Sequence, residues 1–476
     1  MGGAACGPFI RTSRSQTTRP NILFLLADDQ SYETLSITGN AFVKTPNIDR
    51  IGHEGVLFTN AFVAMSLCAP SRAAYLTGNY PHTNGIYRNQ IRWNQQLATL
   101  PTTLHDAGYR TAHIGKFHMD NDDRVQPGYD YWSAQVNQGQ YVNPRKNVNG
   151  EWKDLSGYDT DIVTDQAIEF MRSRKPGQPF LTWLGYKAVH APFTPAPGFE
   201  SFLAEREFKP PGSWFTDDKG KPDRVRRKGR GGDEPARKGG RKAKAQRKGT
   251  AEALSMEQWA ERERNYYRAL MGLEKNVGRL LDFLDEEKLA ENTIVVFASD
   301  NGFFHGEHGL HGKLEAYEES LRVPMLARFP GIIRPRLRVS EFVANVDFMP
   351  TMLDFCGVKA PAPVEGRSWR PLVTGRNGSG EWRRDFLYEM FAPSGATPEH
   401  PTLKALRTDR YKLILNLNPR EAAELYDLEK DRGEMNNLAS EAGNRELVGE
   451  LTRQMVARMR EVGDPAIPDV EATLAR

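Results

Sequence analysis

The sequence has little of three things: cysteine, long apolar runs, and excess charge of one sign. Its 476 residues include three cysteines, Cys6, Cys68 and Cys356, and no Cys-x-x-Cys pair. This excludes a disulfide-rich scaffold and argues against a thiolate zinc site. No apolar run approaches the roughly 20 residues of a membrane-spanning helix. Lys plus Arg is 64 and Asp plus Glu is 61, so the net charge of +3 argues against a dedicated nucleic-acid-binding protein.

What is present is the composition of a globular protein, with 39% hydrophobic and 26% charged residues. At about 150 residues per domain, the length allows two or three domains. The first twenty residues contain Arg and Ser but no apolar core of a signal peptide, so none is predicted there. Residues 1–20 are expected to form a flexible tail.

Continuous apolar runs indicate strands that are buried on both faces, as in a parallel sheet. The clearest runs are NILFLLADD, which ends at Asp29, and NTIVVFASDNG, which begins at Asn292. Amphipathic stretches lie between them, and the strongest predicts a helix over 262–289. This alternation favours an α/β core with a mostly parallel sheet over residues 21–370. The pattern then changes, and residues 371–476 are predicted to form a smaller α+β subdomain.

A basic segment interrupts this organisation between residues 219 and 250. It holds 14 Lys and Arg against three acidic residues, a net charge of 14 − 3 = +11, and it has no aromatic residue, Leu, Ile or Met. Like charges and few apolar groups predict a disordered insertion. The alternative is an electrostatic tether to a polyanion.

Oxygen-bearing side chains follow two of the predicted strands. Asp28 and Asp29 end one run, and Asp300 and Asn301 end another. Ligands of open α/β sheets bind at the carboxyl ends of the strands, and oxygen ligands favour Ca²⁺ or Mg²⁺ over zinc. A single Asp-Asp pair is most often a turn. The combination of two such strand ends favours a metal site.

The run CAPSRAAYLTG, from Cys68 to Gly78, carries a longer pattern. A lone cysteine is most often a small buried hydrophobe. Here the run resembles the signature C-x-P-x-R-x4-T-G of the type I sulfatases in the alkaline phosphatase superfamily. The segments RPNILFLLADDQ, GNYPHTNGIY, AGYRTAHIGKFH, VHAPF and SDNGFFHGEHGLHGK also resemble sulfatase segments, and the likeness extends over about residues 19–439.

This resemblance implies a large α/β/α sandwich and a smaller C-terminal α+β domain with an antiparallel sheet. It implies that Cys68 is oxidised to formylglycine by a formylglycine-generating enzyme, and that Arg72 holds the aldehyde hydrate. One hydroxyl of the hydrate would attack sulfur, and deprotonation of the other would expel sulfate. One Ca²⁺ would be bound by the four oxygen-bearing residues at the strand ends, namely Asp28, Asp29, Asp300 and Asn301.

Four further residues take roles by resemblance. Lys116 and Lys313 would bind sulfate oxygens as point charges. His118 would deprotonate the hydrate, and His190 would protonate the leaving alcohol as general acid. A lone histidine is more often structural, but His190 follows an apolar strand and lies two residues before a proline.

Within the family, the sequence looks most like bacterial N-acetylglucosamine-6-sulfatases. This predicts an exo-acting enzyme on 6-O-sulfated N-acetylglucosamine of glycosaminoglycan or mucin-type glycans, exported to the periplasm or outside the cell. A wall of its pocket is expected from residues 400–407. Two alternatives stay open: a phosphonate monoester or phosphodiester hydrolase of the same superfamily, and a non-catalytic polyanion-binding protein. The sequence does not predict the oligomeric state.

The remaining histidines are ambiguous. His305, His308 and His311 could be a zinc site, but the spacing lacks the helical pair with a glutamate base. His82 and His113 are expected to support the active site through hydrogen bonds.

Overall fold

The structure is a computed structural model of the chain. It describes residues 19–119, 124–215, 220–222, 225, 255–375, 381–391, 402–418 and 421–474. Residues 1–18 of the expected tail lie outside the described residues.

Strands and helices alternate through the first three quarters of the chain. The strands are β1 Asn21–Ala27, β2 Val56–Phe58, β3 Ala61–Phe62, β4 Arg110–Lys116, β5 Tyr131–Gln135, β6 Arg145–Val148, β7 Glu151–Asp154, β8 Phe180–Gly185, β9 Thr293–Ser299, β10 Phe304–His305, β11 His311–Gly312, β12 Met325–Arg328, β13 Leu337–Val339, β14 Val343–Ala344, β15 Asp385–Met390, β16 Thr402–Thr408, β17 Tyr411–Asn418 and β18 Glu424–Asp427. The α-helices are α1 Pro46–His53, α2 Cys68–Thr77, α3 Pro81–Asn84, α4 Leu100–Asp106, α5 Asp159–Arg172, α6 Met256–Glu286, α7 Glu318–Leu321, α8 Phe348–Cys356, α9 Arg370–Thr374, α10 Arg445–Glu461 and α11 Ile467–Leu474.

Ten of these strands form one sheet in the order β13-β2-β12-β9-β1-β8-β4-β5-β6-β7. The five central strands, from β9 to β5, are parallel to one another. Antiparallel pairs flank them, because β12 runs against β9 on one side and β6 runs against β5 on the other. The predicted mostly parallel sheet is therefore confirmed, and its parallel part is the centre.

Both faces of the central strand β1 are covered by helices, as its unbroken apolar run requires. Ile22, Phe24 and Leu26 share a core with α2, α4 and α8 on one face. Leu23 and Leu25 share a core with α1, α5 and α6 on the other. The structure is thus the expected α/β/α sandwich, and the predicted helix over 262–289 is observed as α6.

The chain ends in a four-stranded antiparallel sheet, in the order β15-β16-β17-β18, covered by α10 and α11. Its core also contains residues from the first part of the chain, among them Phe62, Met65 and Phe342. The C-terminal sheet therefore packs directly on the sandwich through shared apolar residues.

Most of the basic segment 219–250 lies outside the described residues, which include only 220–222 and Val225 of it. These few residues are held against the C-terminal sheet. Lys221 is buried, and its Nζ donates to the carbonyl oxygen of Glu434 at 2.7 Å and lies 4.1 Å from the ring centroid of Tyr317. At this end of the segment a lysine stem and Val225 are buried, and the rest of the predicted disordered insertion lies outside the described residues.

Within the described ranges, no helix combines the length and the apolar character needed to cross a membrane.

Candidate active site

The site is built by the carboxyl ends of four neighbouring parallel strands. Ala27 at the end of β1 is in register with Ser299 at the end of β9, so Asp28 and Asp300 emerge side by side. On the other side of β1, Leu26 is in register with Gly185 of β8. Gly185 is in register with Gly115, which precedes Lys116 at the end of β4. Sheet register thus gathers residues that are up to 272 positions apart.

Two features of the backbone show how closely these strand ends pack. A Cβ on Gly115 would lie 2.0 Å from the carbonyl oxygen of Gly185, so only glycine fits there. Asp29 and His118 have φ of 60° and 62°, in the left-handed region that non-glycine residues seldom adopt. Such residues persist where the surrounding structure holds them, and they concentrate at functional sites.

Helix α2 carries the cysteine of the signature at its first position, and Cys68 is buried. The N-terminal end of a helix favours negative charge, which suits a nucleophile. Arg72 follows four residues later, on the same face of the helix. Its Nε and Nη2 lie 2.9 and 2.8 Å from one carboxylate oxygen of Asp300, and its Nη1 donates to the carbonyl oxygen of Lys116 at 2.6 Å.

The four predicted metal ligands converge beside Cys68. The amide nitrogen of Asn301 donates to Asp29 Oδ1 at 2.7 Å, and the backbone N–H of Asp29 donates to Asp300 Oδ1 at 3.2 Å. The Sγ of Cys68 lies 3.8 Å from Asp28 Oδ1. The side-chain oxygen of Asn301 is buried and has no hydrogen-bond partner among the described residues. A buried amide oxygen without a partner is what a bound cation would satisfy.

Two lysines complete what we call the nucleophile cluster: Cys68, the four oxygen-bearing residues, Arg72, Lys116 and Lys313. Lys116 bonds to Asp28, and Lys313 bonds to Asp29. The Nζ of Lys313 also lies 2.9 Å from the Sγ of Cys68. Three cations therefore surround the sulfur, each paired with one of the three carboxylates, and they could bind an anionic substrate group.

Burial disfavours the thiolate form of unmodified Cys68. Burial raises the pKa of Cys68 to about 11, against the opposing effect of Lys116 and Lys313. The thiolate is the nucleophilic form of cysteine, so this thiol is a weak nucleophile at neutral pH. The environment does not favour ordinary cysteine chemistry.

The carboxyl groups respond to the same charges in different ways. Burial alone would raise the pKa of Asp28, but the charges of Lys116, His190 and Arg72 hold it well below its usual value. Burial and the neighbouring charge of Asp28 raise the pKa of Asp300 to about 6. Ionising both Asp28 and Asp300 is costly because the two carboxylates repel each other. A bound cation would offset this repulsion, which is consistent with a metal site.

The two predicted proton-transfer histidines flank the cluster. His190 Nε2 is 3.6 Å from Asp29 Oδ2, and His190 Nδ1 is 2.7 Å from the carbonyl oxygen of Ala191, which fixes a proton on Nδ1. Burial lowers the pKa of His190 and, together with the charge of Lys116, that of His118. His118 Nδ1 has no hydrogen-bond partner in the described part of the chain.

Sequence reasoning missed two residues of the site. Gln138, in the loop after β5, accepts from Lys116 Nζ at 2.6 Å through Oε1, and its Nε2 is 3.4 Å from His118 Nε2. Lys187 is buried and donates to the carbonyl oxygen of Gln138 at 2.9 Å, which fixes this loop. The only signal was position, since each residue follows a strand that ends at the same edge of the sheet.

The other histidines do not form a zinc site in the structure. His305 Nδ1 is 2.8 Å from Glu263 Oε2, and His308 packs against the ring of Tyr317. Among the described residues, the groups with three or more ligand atoms close together are one in the nucleophile cluster, with His190, and one around His82.

His82 and His113 do not hydrogen-bond to the nucleophile cluster, so this expectation is wrong. His113 packs against the rings of Phe117 and Trp132. His82 Nδ1 is 2.8 Å from Glu389 Oε2, at the junction with the C-terminal sheet. His82 lies in the short HTNG segment after α2. Nothing in the sequence indicates that this segment packs against the C-terminal sheet.

The family model described as Sulfatase matches residues 20–358. The chain belongs to the sulfatase family. It is therefore a sulfuric ester hydrolase. A second family model, described as N-sulphoglucosamine sulphohydrolase, C-terminal, matches residues 306–461. An N-acetylglucosamine-6-O-sulfatase of Bacteroides thetaiotaomicron is 31% identical over 97% of this sulfatase and 90% of that protein.

Solved structures agree with this sulfatase's fold. One, described as a complex with its substrate D-glucosamine-2-N,6-O-disulfate, has 30% identity and a TM-score of 0.85 and covers 95% of this chain and 99% of that chain. A phosphonate monoester hydrolase of Agrobacterium radiobacter has 21% identity and a TM-score of 0.74 and covers 93% of this chain and 96% of that chain. The second likeness concerns the fold alone, which therefore does not separate sulfatases from phosphonate hydrolases.

Proposed function

We propose that this sulfatase removes the 6-O-sulfate from a terminal N-acetylglucosamine, with a formylglycine made from Cys68 as nucleophile. The observation that carries the proposal is the nucleophile cluster, in which Cys68 lies among Lys313, Arg72 and the carboxylates. The choice of sugar is supported by the N-acetylglucosamine-6-O-sulfatase relative, whose sequence similarity covers almost the whole chain. The high thiol pKa supports the need for modification.

In this proposal the lysines bind the sulfate. Lys313 is 2.9 Å from the sulfur of Cys68 and its side chain is 13% exposed, so it can reach both nucleophile and substrate. Lys116 is fully buried and bonds to Asp28 and Gln138, which fixes its ammonium group. Fixed cations stabilise the negative charge that develops during displacement at sulfur.

The histidines divide the proton transfers. His190 is the more exposed of the pair, with 16% of its side chain accessible, and its Nε2 faces the cluster. It is therefore placed to protonate the oxygen of the leaving alcohol. His118 is more deeply buried, and its lowered pKa keeps the imidazole neutral, which is the form that can accept a proton from the aldehyde hydrate in the role that the family resemblance implies.

The four oxygen-bearing residues fit a calcium ion. Their donors are three carboxylates and an amide oxygen that has no other partner in the described residues. Such a donor set is typical of Ca²⁺. When bound, the metal supplies a positive charge that polarises the sulfate and makes the nucleophile more acidic.

The proposal extends to maturation and export. A formylglycine-generating enzyme would be the partner that converts Cys68, and the family resemblance favours export from the cytoplasm. The wall predicted from residues 400–407 stays a prediction, with residues 400 and 401 outside the described residues. Arg407 contacts Glu318 at 3.2 Å and lines a cavity of about 650 Å³ together with Ser31 and Phe303.

The proposal is tested by measuring kcat/KM on N-acetylglucosamine-6-sulfate, galactose-6-sulfate, a 2-sulfated uronic acid and a phosphonate monoester. Buried polar groups that fit one sugar epimer reject others strongly, because mismatched groups are left unpaired. We expect the first substrate to be preferred. Preference for another sulfated sugar would overturn the choice of sugar, and preference for the phosphonate would overturn the proposed sulfatase chemistry of the site.

A further inference from the structure

An open cavity adjoins the nucleophile cluster at Gln138. It has a volume of about 550 Å³ and is lined by residues 136–140, Arg145 and Trp152. This volume lies within the range of small-molecule sites. Gln138 belongs to both regions, because its side chain contacts Lys116 and His118 while the same residue lines the cavity.

The topology explains why this cavity opens at the active-site edge of the sheet. Strand β5 ends there, and β6 starts its return from the same edge at Arg145. Arg145 pairs with Asp154 of β7, and Asn147 pairs with Trp152. Side chains two residues apart point to the same face of a strand, so Arg145 and Trp152 are diagonal neighbours on one face. The guanidinium carbon of Arg145 is 5.5 Å from the indole centroid.

The exposure of Trp152 is not explained by packing. Every residue of β7 is exposed, and 39% of Trp152 is accessible although it is one of the largest apolar side chains. Edge strands normally carry polar or charged residues at such positions, as Glu151 and Lys153 do here. An exposed indole beside a cavity is typical of a binding surface.

The walls of the cavity are held rigidly. On the opposite face of β6, Lys146 is buried and its Nζ lies 2.6 Å from the carboxylate of Asp159 at the start of α5. The loop before β6 is fixed by the bond from Lys187 to the carbonyl oxygen of Gln138. The backbone beside the cavity is therefore held in place by buried contacts, whereas the side chain of Arg145 is 65% exposed and free to reach a ligand.

We propose that this cavity is the subsite for the sugar residue that adjoins the sulfated sugar of the substrate. The apolar face of that sugar would lie on the indole of Trp152, and Arg145 would donate hydrogen bonds to its hydroxyl or carboxylate oxygens. This inference rests on the proposed function, because it assumes a sugar substrate. It adds that the enzyme recognises at least a disaccharide.

The test compares kcat/KM on two substrates: N-acetylglucosamine-6-sulfate, and a disaccharide with that sugar at its non-reducing end. We expect the ratio of disaccharide to monosaccharide to fall about tenfold in Trp152→Ala, equivalent to about 1.4 kcal/mol, and less in Trp152→Phe, which keeps a flat ring. Arg145→Gln should lower the same ratio. Val142→Ala is the control, because Val142 is 51% exposed in the same loop but does not line the cavity.

If the ratio in Trp152→Ala is unchanged, whether or not kcat/KM falls equally on both substrates, the subsite is overturned. A protein that releases sulfate from neither substrate would contradict the proposed function but not yet the subsite. Calorimetric titration of the Cys68→Ala protein with the desulfated disaccharide then decides. Binding that is lost in Cys68→Ala/Trp152→Ala supports the subsite, and absence of binding or its persistence in the double variant overturns it.

Discussion

Two of the buried charge clusters among the described residues differ in how completely their groups are paired. The nucleophile cluster lies at the strand ends of the large sheet. The second, which we call the junction cluster, consists of His82, Glu389, Lys404 and Asp464 and joins the sandwich to the C-terminal sheet. Lys404 Nζ bonds to Asp464 and lies 2.9 Å from Glu389, whose carboxylate also accepts from His82.

In the junction cluster, as far as the described ranges show, every side-chain donor and acceptor has a partner. In the nucleophile cluster, Asn301 Oδ1 is buried without one among the described residues, and so is Nδ1 of His118, which flanks the cluster. Buried polar groups are normally paired because an unpaired one is costly. The junction cluster is thus complete within the described part of the chain, whereas the nucleophile cluster keeps an unpaired oxygen there that a metal ion would satisfy under the proposed function.

The largest effect is expected from Cys68→Ser. Sulfate release should fall at least about 10³-fold, because a serine could accept the sulfo group but could not expel it by reforming an aldehyde. The midpoint of thermal unfolding should change little. Cys356→Ser is the matched control: Cys356 is buried elsewhere, so this change should lower stability by about 1–3 kcal/mol but preserve the specific activity of folded protein. Full activity in Cys68→Ser would contradict the mechanism.

Disrupting the junction cluster should have the opposite effect, lowering stability while leaving the activity of the folded protein unchanged. Lys404→Met leaves two buried carboxylates without their cation, so the free energy of unfolding should fall by about 3–5 kcal/mol in denaturant titrations. The folded protein should keep its sulfate release. Arg384→Met removes an exposed ion pair with Asp409 and should leave the free energy of unfolding nearly unchanged. A stable Lys404→Met protein would show that the junction cluster does not support the fold.

Asn301→Ala tests whether the unpaired amide oxygen serves a metal. Calcium at about 100 times its dissociation constant should stabilise the unchanged protein by about 2.7 kcal/mol. In Asn301→Ala this calcium-dependent shift should be much smaller, and activity should fall about 100-fold. Asn276→Ala, at another buried asparagine, should keep the calcium shift. An undiminished shift in Asn301→Ala would remove Asn301 from the proposed metal site.

The smallest effect concerns pH. His82 has acceptors at both ring nitrogens, Glu389 and the carbonyl oxygen of Val462, so it is held as imidazolium. Burial opposes this, but the hydrogen bond to Glu389 raises the pKa of His82 from 6.5 to about 9. Its stabilising contribution is therefore complete below about pH 6.5 and is lost as the pH rises through about 9.

This predicts a fall in the free energy of unfolding between pH 6.5 and 9 that is much smaller in His82→Gln. Denaturant titrations at several pH values measure it. His105→Gln, at a histidine that is 45% exposed, should leave the slope unchanged. An identical slope in His82→Gln would mean that another group causes the pH dependence.

The sequence predicted the parts of the site that depend on strand ends and local motifs. The Asp28 and Asp300 pairs follow buried apolar runs, and sheet register alone brings them together. Gln138 was not predictable, because its role depends on how a loop returns to the sheet edge. The partners of His82 and Lys221 were not predictable for a similar reason, since they lie 307 and 213 residues away, on the C-terminal sheet and in the loop after β18.

The central claim is that residue 68 is the nucleophile after conversion to formylglycine. The most direct test measures the peptide mass across Cys68 and the rate of sulfate release in the same preparations, made with and without a formylglycine-generating enzyme. The account predicts that specific activity rises in proportion to the converted fraction and vanishes when the peptide is entirely in the thiol form. Full sulfatase activity in a preparation whose Cys68 is entirely unmodified would contradict it.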